Sequence, residues 1–318
     1  MHYDFAPMQG LTTWQFRGLH HRHFPGADRY FLPFFSPTQE HLFTQRDWRN
    51  LAPEYNEGVP AVPQLMARKP ADFLWAAGEL AAMGYREVNL NLGCPAGTVA
   101  AKGKGAGFLA YPGELDAFLD TVFAACPLAI SVKTRLGIRE AEEFGNILEI
   151  YNRYPLTELI LHPRVQKDFY RNHPRLDAFA RALEECRCPL CYNGDLLTVS
   201  DFRTLEARFP GVSGIMAGRG AAADPALFRK LRGGPAAGEE DLRAFLEALY
   251  ESYRRDYRSE RNAVQRMKEL WVYLLHLFEG GESLEKKIWK VTDYPAYAAL
   301  TERVFRELPL RTDAVGPL

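Results

Sequence analysis

Short apolar runs alternate with longer amphipathic segments along most of this chain. The longer segments have helical spacing: in 71–83, for example, Phe73, Ala77 and Leu80 fall on one stripe. The short runs have the length and the continuous apolar character of buried strands. They lie at 3–7, 29–33, 61–65, 87–91, 128–133, 158–161, 190–192 and 214–216. Strands of this kind, separated by helices, predict a parallel sheet that is covered by helices on its outside.

The number of strand–helix units favours a closed (β/α)8 barrel, since eight units in roughly 230 residues match that architecture. The alternative is an open, doubly wound α/β sheet. That fold would place a glycine-rich fingerprint after its first strand. The segment Ala6-Pro7-Met8-Gln9-Gly10 is not such a fingerprint. We therefore predict the closed barrel.

A segment rich in glycine and proline at 232–238 ends this alternation and predicts a linker. Beyond it, apolar positions recur with helical spacing in three stripes. The stripes comprise Leu242, Phe245, Leu246, Leu249, Tyr250, Tyr253 and Tyr257; then Val264, Met267, Trp271, Leu274 and Phe278; then Tyr297, Leu300, Val304 and Leu308. We predict two domains: a barrel at 1–235 and a small α-helical bundle at 239–318.

Composition and charge narrow the class of protein. Of 318 residues, 47% are hydrophobic, which is globular usage and excludes a disordered chain. The net charge of −1 provides no overall field that attracts nucleic acid, so a polyanion would need a local basic patch. No run reaches the ~20 apolar residues that cross a bilayer, and Asp4 lies where a signal peptide carries bases. An odd count of five cysteines suits a reducing compartment, so we expect a cytoplasmic protein. We also expect a monomer, and no membrane partner.

Chemistry in a (β/α)8 barrel lies in the loops at the carboxyl ends of the strands. All but the second predicted strand end in a hydrogen-bonding or titratable group. After strands seven and eight, glycines at 194, 218 and 220 would let the backbone approach an anion, which Arg219 could neutralise. Each turn alone is ordinary, but the two together in this order predict a phosphorylated ligand.

Lys133 ends an apolar strand, so its ammonium group would lie beside the barrel axis. That position suits an electron-rich partner such as the N1–C2=O edge of a reduced flavin. The alternative is a lysine that extends into solvent. Gln64 and Asn91 would either contact the same ligand or cap a loop. His162 is equally consistent with a structural role.

Cysteines fall into three settings. Cys94 lies on a strand-end loop between Gly93 and Pro95, and a thiol with a reference pKa of ~8.5 is mostly protonated at neutral pH, so it can act as a general acid. Cys126 reads as structural. The group Cys186, Cys188 and Cys191 has a metal-like spacing but no fourth ligand nearby, and its last member runs into a strand. We predict no metal site.

Several motifs, taken together, resemble the tRNA-dihydrouridine synthase family. They are Ala6-Pro7-Met8, Asn89-Leu90-Asn91-Leu92-Gly93-Cys94-Pro95, Lys102-Gly103-Lys104-Gly105-Ala106, Val132-Lys133-Thr134-Arg135-Leu136-Gly137, Asn193-Gly194-Asp195 and Gly218-Arg219. The resemblance spans the barrel in order and spacing and continues into the helical segment. The Cys-Pro element with the following Gly-x-Gly-Ala is its most specific part.

The resemblance implies an FMN-binding barrel with a helical RNA-binding domain. It implies that the C5=C6 bond of uridine in tRNA receives a hydride at C6 from reduced FMN and a proton at C5 from Cys94, with NADPH as the electron donor. Residues implied to hold FMN are Pro7, Met8, Gln9, Gln64, Lys133, His162, Asn193, Gly194, Asp195, Gly218 and Arg219. Residues implied to contact the substrate are Asn91, Lys102, Lys104, Arg135 and Arg164.

One loop departs from the family pattern. Where the family has His-Ala-Arg and then Gln-x-Tyr-x-Gly, this chain has His162-Pro163-Arg164 and then 166–172 without the glycine. The target base must be flipped out of a helix, and two basic runs are candidates for the RNA contact: Arg164, Lys167, Arg171 and Arg175, and Arg254, Arg255, Arg258, Arg261, Arg266 and Lys268. Either run could instead be a solvated face with internal ion pairs.

Three other functions remain open at this stage: an FMN enzyme acting on a free pyrimidine or other small molecule, dihydrouridine formation in RNA other than tRNA, and a flavin-binding RNA chaperone without turnover. The helical segment and the basic loop argue against the first. A complete set of flavin-facing groups with Cys94 argues against the last.

Overall fold

The computed structural model describes residues 1–38 and 40–316, and within them nine parallel strands form one sheet. The strands are β1 (His2–Phe5), β2 (Arg29–Phe31), β3 (Ala61–Val62), β4 (Gln64–Leu65), β5 (Glu87–Leu92), β6 (Ala129–Arg135), β7 (Leu159–His162), β8 (Leu190–Asn193) and β9 (Gly214–Ala217). Their order is β3-β2-β1-β9-β8-β7-β6-β5-β4.

The sheet closes into a barrel through the third predicted run. β3 pairs with β2, β4 pairs with β5, and only Pro63 separates β3 from β4. Proline has no backbone N–H to donate to a neighbouring strand, so Pro63 divides one strand of the barrel into two short strands. The predicted (β/α)8 barrel is therefore confirmed, with nine strands where the pattern predicted eight.

Helices follow most strands and cover the outside of the barrel. The first ten are α1 (Trp14–His23), α2 (Gln45–Leu51), α3 (Pro70–Ala82), α4 (Gly97–Ala100), α5 (Pro112–Ala125), α6 (Glu143–Tyr151), α7 (Leu176–Glu185), α8 (Val199–Arg208), α9 (Arg219–Ala223) and α10 (Leu227–Leu231). Short 3-10 turns lie at Pro53–Tyr55, Gly105–Ala110, Gln166–Asp168, Leu275–Leu277 and Gly281–Leu284. In α3 the predicted stripe buries Phe73, Ala77 and Leu80 completely.

The barrel interior has an apolar middle and a charged floor. Alternation along the strands turns one small cluster inward: Ala6, Phe31, Val62, Ile160, Cys191 and Met216. Below it, at the amino ends of the strands, Arg29 pairs with Asp4 at 2.6 Å and with Glu158 at 2.5 Å. His2 joins this ion-pair cluster through Glu158 at 2.7 Å. Buried charges of both signs thus compensate each other in the floor.

The chain beyond the barrel folds into α11 (Glu239–Tyr257), α12 (Glu260–Leu274), α13 (Glu285–Lys290) and α14 (Tyr294–Glu307). These helices bury the predicted stripes, among them Phe245, Trp271 and Val304. None of the helices in the described ranges is both long enough and apolar enough for a membrane span.

α11 attaches the helical segment to one side of the barrel. Phe245 packs edge-on against Phe16 of α1, and the hydroxyls of Thr13 and Tyr253 lie 3.0 Å apart. Asp256 accepts hydrogen bonds from the barrel side chains of Gln15 at 2.9 Å and Arg49 at 2.7 Å. This docking brings α12 and α13 to the mouth of the barrel.

Candidate active site

A cavity of about 510 Å³ opens at the carboxyl ends of the strands. All residues that the sequence predicts to hold a cofactor line it: Pro7, Met8, Gln9, Gln64, Lys133, His162, Asn193, Gly194, Asp195, Gly218 and Arg219. Cys94, Asn91 and Arg135 line it as well. These side chains meet because the ends of parallel strands converge at one face of a barrel.

The loop that carries Cys94 is held by the Asn91 side chain. The Asn91 Oδ1 accepts hydrogen bonds from the backbone N–H groups of Gly93 at 3.1 Å and Cys94 at 3.0 Å. Its Nδ2 donates to Gln64 Oε1 at 2.7 Å, which fixes the orientation of the amide. Asn91 therefore caps this loop, the structural alternative that the sequence left open, and presents the half-buried thiol of Cys94 to the cavity.

A glycine on the following turn fits under the same loop. Gly105 has a φ of +55°. The backbone N–H of the next residue, Ala106, donates to the Cys94 carbonyl at 3.0 Å. A Cβ at residue 105 would lie 2.9 Å from that carbonyl oxygen and 3.0 Å from the Cys94 Cβ. Only glycine fits this position, because both the conformation and the space exclude a side chain.

Basic side chains outnumber carboxylates in the lining of the cavity. Lys133, Arg135, His162 and Arg219 line it, with Asp195 and Glu269 as carboxylates. Burial, with the nearby Arg135 as a second cause, lowers the pKa of Lys133 to about 7. A lysine whose charge is disfavoured to this extent lacks an anionic partner. The cavity is therefore suited to an anionic ligand.

His162 is held in one tautomer by Arg164. Nη1 of Arg164 lies 2.8 Å from Nε2 of His162, and a guanidinium group can only donate. Nε2 therefore accepts, and the imidazole proton is on Nδ1. Burial, followed by the charges of four cationic neighbours, lowers the pKa of His162 well below its usual value. His162 is thus a neutral hydrogen-bond donor.

Arg164 does not fit the substrate-contacting role that the sequence predicts. It is 1% exposed and does not line the cavity. Both of its terminal nitrogens bind the carboxylate of Asp195, one of them at 2.8 Å, and Arg219 binds the same carboxylate at 2.6 Å. Arg164 therefore acts behind His162 and Asp195 as a positioning residue. Sequence reasoning could not see this ion pair, because its partners are 31 residues apart.

Of the other residues predicted to contact the substrate, Arg135 lines the cavity and the two lysines do not. Arg135 lines the cavity, and it also ties the Cys94 loop to the loop after β7 by donating to the carbonyls of Gly93 at 2.9 Å and Val165 at 3.1 Å. Lys102 and Lys104 lie outside the cavity, on the turn after α4, where Lys102 is exposed.

Four aromatic or apolar residues line the mouth of the cavity although the sequence did not predict them as site residues. Tyr170 is 51% exposed and lies over the guanidinium groups of Arg135 and Arg219, at 5.4 and 4.9 Å. Val272 and Tyr273 of α12, and Trp289 of α13, form the wall opposite the barrel loops. A signal for Trp289 is present in the sequence: an aromatic residue flanked by Lys286, Lys287 and Lys290 is typical of nucleic-acid contacts.

The two basic runs that the sequence offers for RNA are neutralised only in part. In the first, Arg164, Lys167 and Arg175 pair with Asp195, Glu140 and Asp168. In the second, Arg254 and Arg266 pair with Glu251 and Glu269, and Lys268 is buried. The remaining arginines of the runs, Arg171, Arg255, Arg258 and Arg261, are exposed and take part in none of the ion pairs between described residues. The same is true of the three lysines of α13.

The cysteine group at 186–191 does not converge. The Sγ atoms of Cys186 and Cys188 lie 3.4 Å apart, while Cys191 is buried in the apolar cluster inside the barrel. The expectation that Cys191 points into apolar packing is confirmed. Cys126 is half-buried at the end of α5, away from the mouth.

The closed parallel barrel, with a cavity at the carboxyl ends of its strands, defines a (β/α)8-barrel protein with its candidate site at the face where enzymes of this fold carry theirs. A family model described as "Dihydrouridine synthase (Dus)" matches residues 4–299. The chain belongs to the dihydrouridine synthase family, as the motif resemblance implies, and is an enzyme of that class.

Individual relatives agree with this assignment. The chain is 28% identical over 317 residues to the "Probable tRNA-dihydrouridine synthase 1" of Synechocystis sp., covering 95% of this chain and 81% of the relative. It is 30% identical over 236 residues to the "tRNA-dihydrouridine(16) synthase" of Ralstonia nicotianae, covering 72% of each.

Solved structures support the fold. Morphinone reductase in complex with tetrahydroNAD matches with a TM-score of 0.52 at 12% identity, covering 77% of this chain and 90% of that one. The old yellow enzyme homologue of Zymomonas mobilis matches with a TM-score of 0.54 at 12% identity, covering 76% and 91%. At this identity the likeness concerns the barrel alone.

Proposed function

We propose that this protein reduces uridine in tRNA to 5,6-dihydrouridine, with FMN as its cofactor and NADPH as the electron donor. The observation that carries the proposal is the single cavity that holds the Cys94 thiol and the cationic group of Lys133, Arg135 and Arg219. The printed names of the relatives from Synechocystis sp. and Ralstonia nicotianae support tRNA as the substrate.

The residues present fit FMN. The cavity of about 510 Å³ lies within the usual range for a cofactor site. FMN carries a phosphate and an electron-rich ring edge; the lowered pKa of Lys133 favours an electron-rich partner, and Arg219 lines the cavity as a cation. We assign Lys133 and His162, with Gln64, to the flavin ring, and Asn193, Gly194, Gly218 and Arg219 to the phosphate end. When bound, FMN supplies the hydride that reduces the C5=C6 bond of uracil.

The chain's own residues would supply the rest of the chemistry. Cys94, held by Asn91, keeps a proton available for C5 of the uracil after hydride has reached C6. Negative charge then develops on the uracil carbonyl conjugated to that bond. The Arg135 guanidinium, which lines the cavity, would offset it. Tyr273 and Trp289 would exclude water from one side.

The helical wall supports a polynucleotide substrate over a free base. Trp289 is 44% exposed at the rim, and Lys286, Lys287 and Lys290 surround it on the same short helix. An exposed indole offers a stacking surface for a base, and neighbouring ammonium groups attract phosphates. We therefore propose α13 as the RNA contact nearest to the reaction, because Trp289 lines the cavity and no member of the two basic runs does.

We further propose the division into a catalytic barrel, 1–235, and an RNA-binding helical domain, 239–318. The sheet ends at Ala217 and the last helix of the barrel ends at Leu231, which supports this boundary. A cytoplasmic location and a monomeric state remain our proposals as well, and the five unpaired cysteines suit a reducing compartment.

The decisive experiment compares substrates under NADPH. Unmodified tRNA transcript, a non-tRNA transcript, free uridine and uracil are each incubated with the flavin-loaded protein, and dihydrouridine is quantified and mapped by position. We expect turnover on tRNA, its loss in Cys94→Ala, and no loss in Cys126→Ala. Equal turnover on free uridine would overturn the RNA assignment. Undiminished dihydrouridine formation by Cys94→Ala would assign the proton to another group.

A further inference from the structure

Two cysteines form a contact pair at the end of the barrel opposite the active site. Cys186 follows α7 and Cys188 precedes β8, so both lie on the loop at the amino ends of the strands. Their Sγ atoms are 3.4 Å apart, and both side chains are half-buried. A small oxidant in solution can therefore reach two thiols that are already in contact.

The backbone around the pair is held by a side chain from another element. Asn152, which follows α6, donates from Nδ2 to the carbonyl of Glu185 at 2.9 Å and accepts at Oδ1 from the N–H of Arg187 at 2.9 Å. One amide thus fixes the residues on either side of Cys186. This restraint keeps the two sulfur atoms together and lowers the entropic cost of joining them.

Two of the other cysteines lie away from the pair. Cys191 is buried inside the barrel with Ile160 and Met216, and Cys94 lies on a loop at the opposite mouth. The two thiols of the pair are also unequal. Their mutual Sγ–Sγ contact lowers the pKa of Cys186 and raises that of Cys188. Cys186 is therefore the better nucleophile, and Cys188 is close enough to attack the Cys186 sulfur once that sulfur is oxidised.

We propose that Cys186 and Cys188 are a modification site: a dithiol that a peroxide converts to an intramolecular disulfide. The Cys186 thiolate attacks one peroxide oxygen, the O–O bond breaks, and a sulfenic acid and a hydroxide form. The Cys188 sulfur then attacks the Cys186 sulfur, the S–S bond forms, the S–O bond breaks, and water leaves. The two sulfurs lose two electrons, which the peroxide gains. A thiol such as reduced glutathione reopens the bond by exchange.

The sequence offers a direct test, because Arg187 lies between the two cysteines. Trypsin cleavage after Arg181, Arg187 and Arg203 places Cys186 on peptide 182–187 and Cys188 on peptide 188–203, together with Cys191. The full-length protein is treated with hydrogen peroxide, free thiols are blocked with N-ethylmaleimide, and the digest is analysed without reductant. We expect the two peptides joined, at the mass of their sum less two hydrogens. A reductant such as dithiothreitol should separate them.

Matched variants identify the sulfur atoms. Cys186→Ser and Cys188→Ser should lose the joined species, whereas Cys191→Ser and Cys126→Ser should keep it. In Cys188→Ser the sulfenic acid on Cys186 should persist and be trapped by dimedone. A link that survives in Cys188→Ser would run through Cys191 and overturn the proposal. So would a digest in which Cys186 is oxidised to sulfinic acid with no joined peptide. The readout is independent of dihydrouridine formation.

Discussion

Arg164 donates a hydrogen bond from Nη1 to Nε2 of His162, over 2.8 Å, from behind the active-site cavity. The contact determines which ring nitrogen of His162 carries the proton, because guanidinium has no acceptor. Asp195 binds the same guanidinium through both carboxylate oxygens. The orientation of one ring facing the cavity thus depends on a buried ion pair outside it.

Removing Arg164 should release this constraint. In Arg164→Met we expect the pKa of His162 to rise, since one nearby cation is gone, but to stay below its usual value because burial remains. We expect at least a tenfold loss of dihydrouridine formation, the order seen for lost orienting groups. Nitrogen NMR of the imidazole reports tautomer and pKa. Arg171→Met, an exposed arginine of the same loop, is the control. An unchanged tautomer in Arg164→Met would contradict this mechanism.

Gly105→Ala should displace the catalytic loop without unfolding the barrel. A methyl group there would lie 2.9 Å from the Cys94 carbonyl oxygen, in a backbone conformation with a φ of +55°. We expect kcat to fall roughly a hundredfold, as a misplacement of about 1 Å can do. Flavin binding should change little. Gly97→Ala, where a methyl group meets nothing within 4 Å, is the matched control. Equal kcat values for the two variants would show that the loop tolerates the shift.

How far the sequence predicted this molecule depends on the kind of contact. The apolar runs of the sequence predicted each strand region of the barrel. Because the carboxyl ends of all these strands meet at one mouth, the topology alone placed residues such as Gln64 and Asn193 there, without knowledge of side-chain conformation. Two features were beyond it. The Arg164–Asp195 pair depends on side-chain rotamers in the loop after β7, where the sequence departs from the family pattern. The wall that contains Tyr273 and Trp289 depends on how α11 docks on α1, through contacts such as Thr13 to Tyr253 over 240 positions.

Flavin affinity should weaken as pH rises above neutrality. In the flavin-free protein the pKa of Lys133 is about 7, and the electron-rich edge of the flavin ring that we assign to Lys133 should raise this pKa toward the usual value of ~10.4. Binding then takes up a proton between these pH values, so FMN affinity should fall by up to about tenfold per pH unit in this window. Fluorescence titration with FMN at pH 6.5 to 9 measures it. Riboflavin separates the phosphate's contribution, and Lys133→Met should abolish the dependence. A flat profile for the wild-type protein would exclude Lys133 as the linked group.

The ion-pair cluster in the barrel floor should make Arg29 critical for stability. Arg29→Met leaves Asp4 and Glu158 buried beside each other, with only His2 as a cation, and should cost about 3–5 kcal/mol. The cost should be smaller at pH 5 than at pH 8, because the unpaired carboxylates then take up protons. Urea unfolding at both pH values measures this. Arg153→Met breaks an exposed pair with Asp116 and should cost less than about 1 kcal/mol. Similar losses in the two variants would contradict the compensation argument.

Trp289 should contribute to RNA binding through its exposed ring. Removing one stacking aromatic costs about 1–3 kcal/mol, so Trp289→Ala should raise the Kd for tRNA by roughly 5- to 150-fold. Trp289→Phe should restore most of the affinity. The salt dependence of binding should stay the same in Trp289→Ala, whereas replacing Lys286, Lys287 and Lys290 with glutamine should flatten it by about two units of slope. Trp48→Ala is the control, since Trp48 is 46% exposed on α2, away from the cavity lining. An equal effect of the two tryptophan variants would show that the RNA does not follow α13.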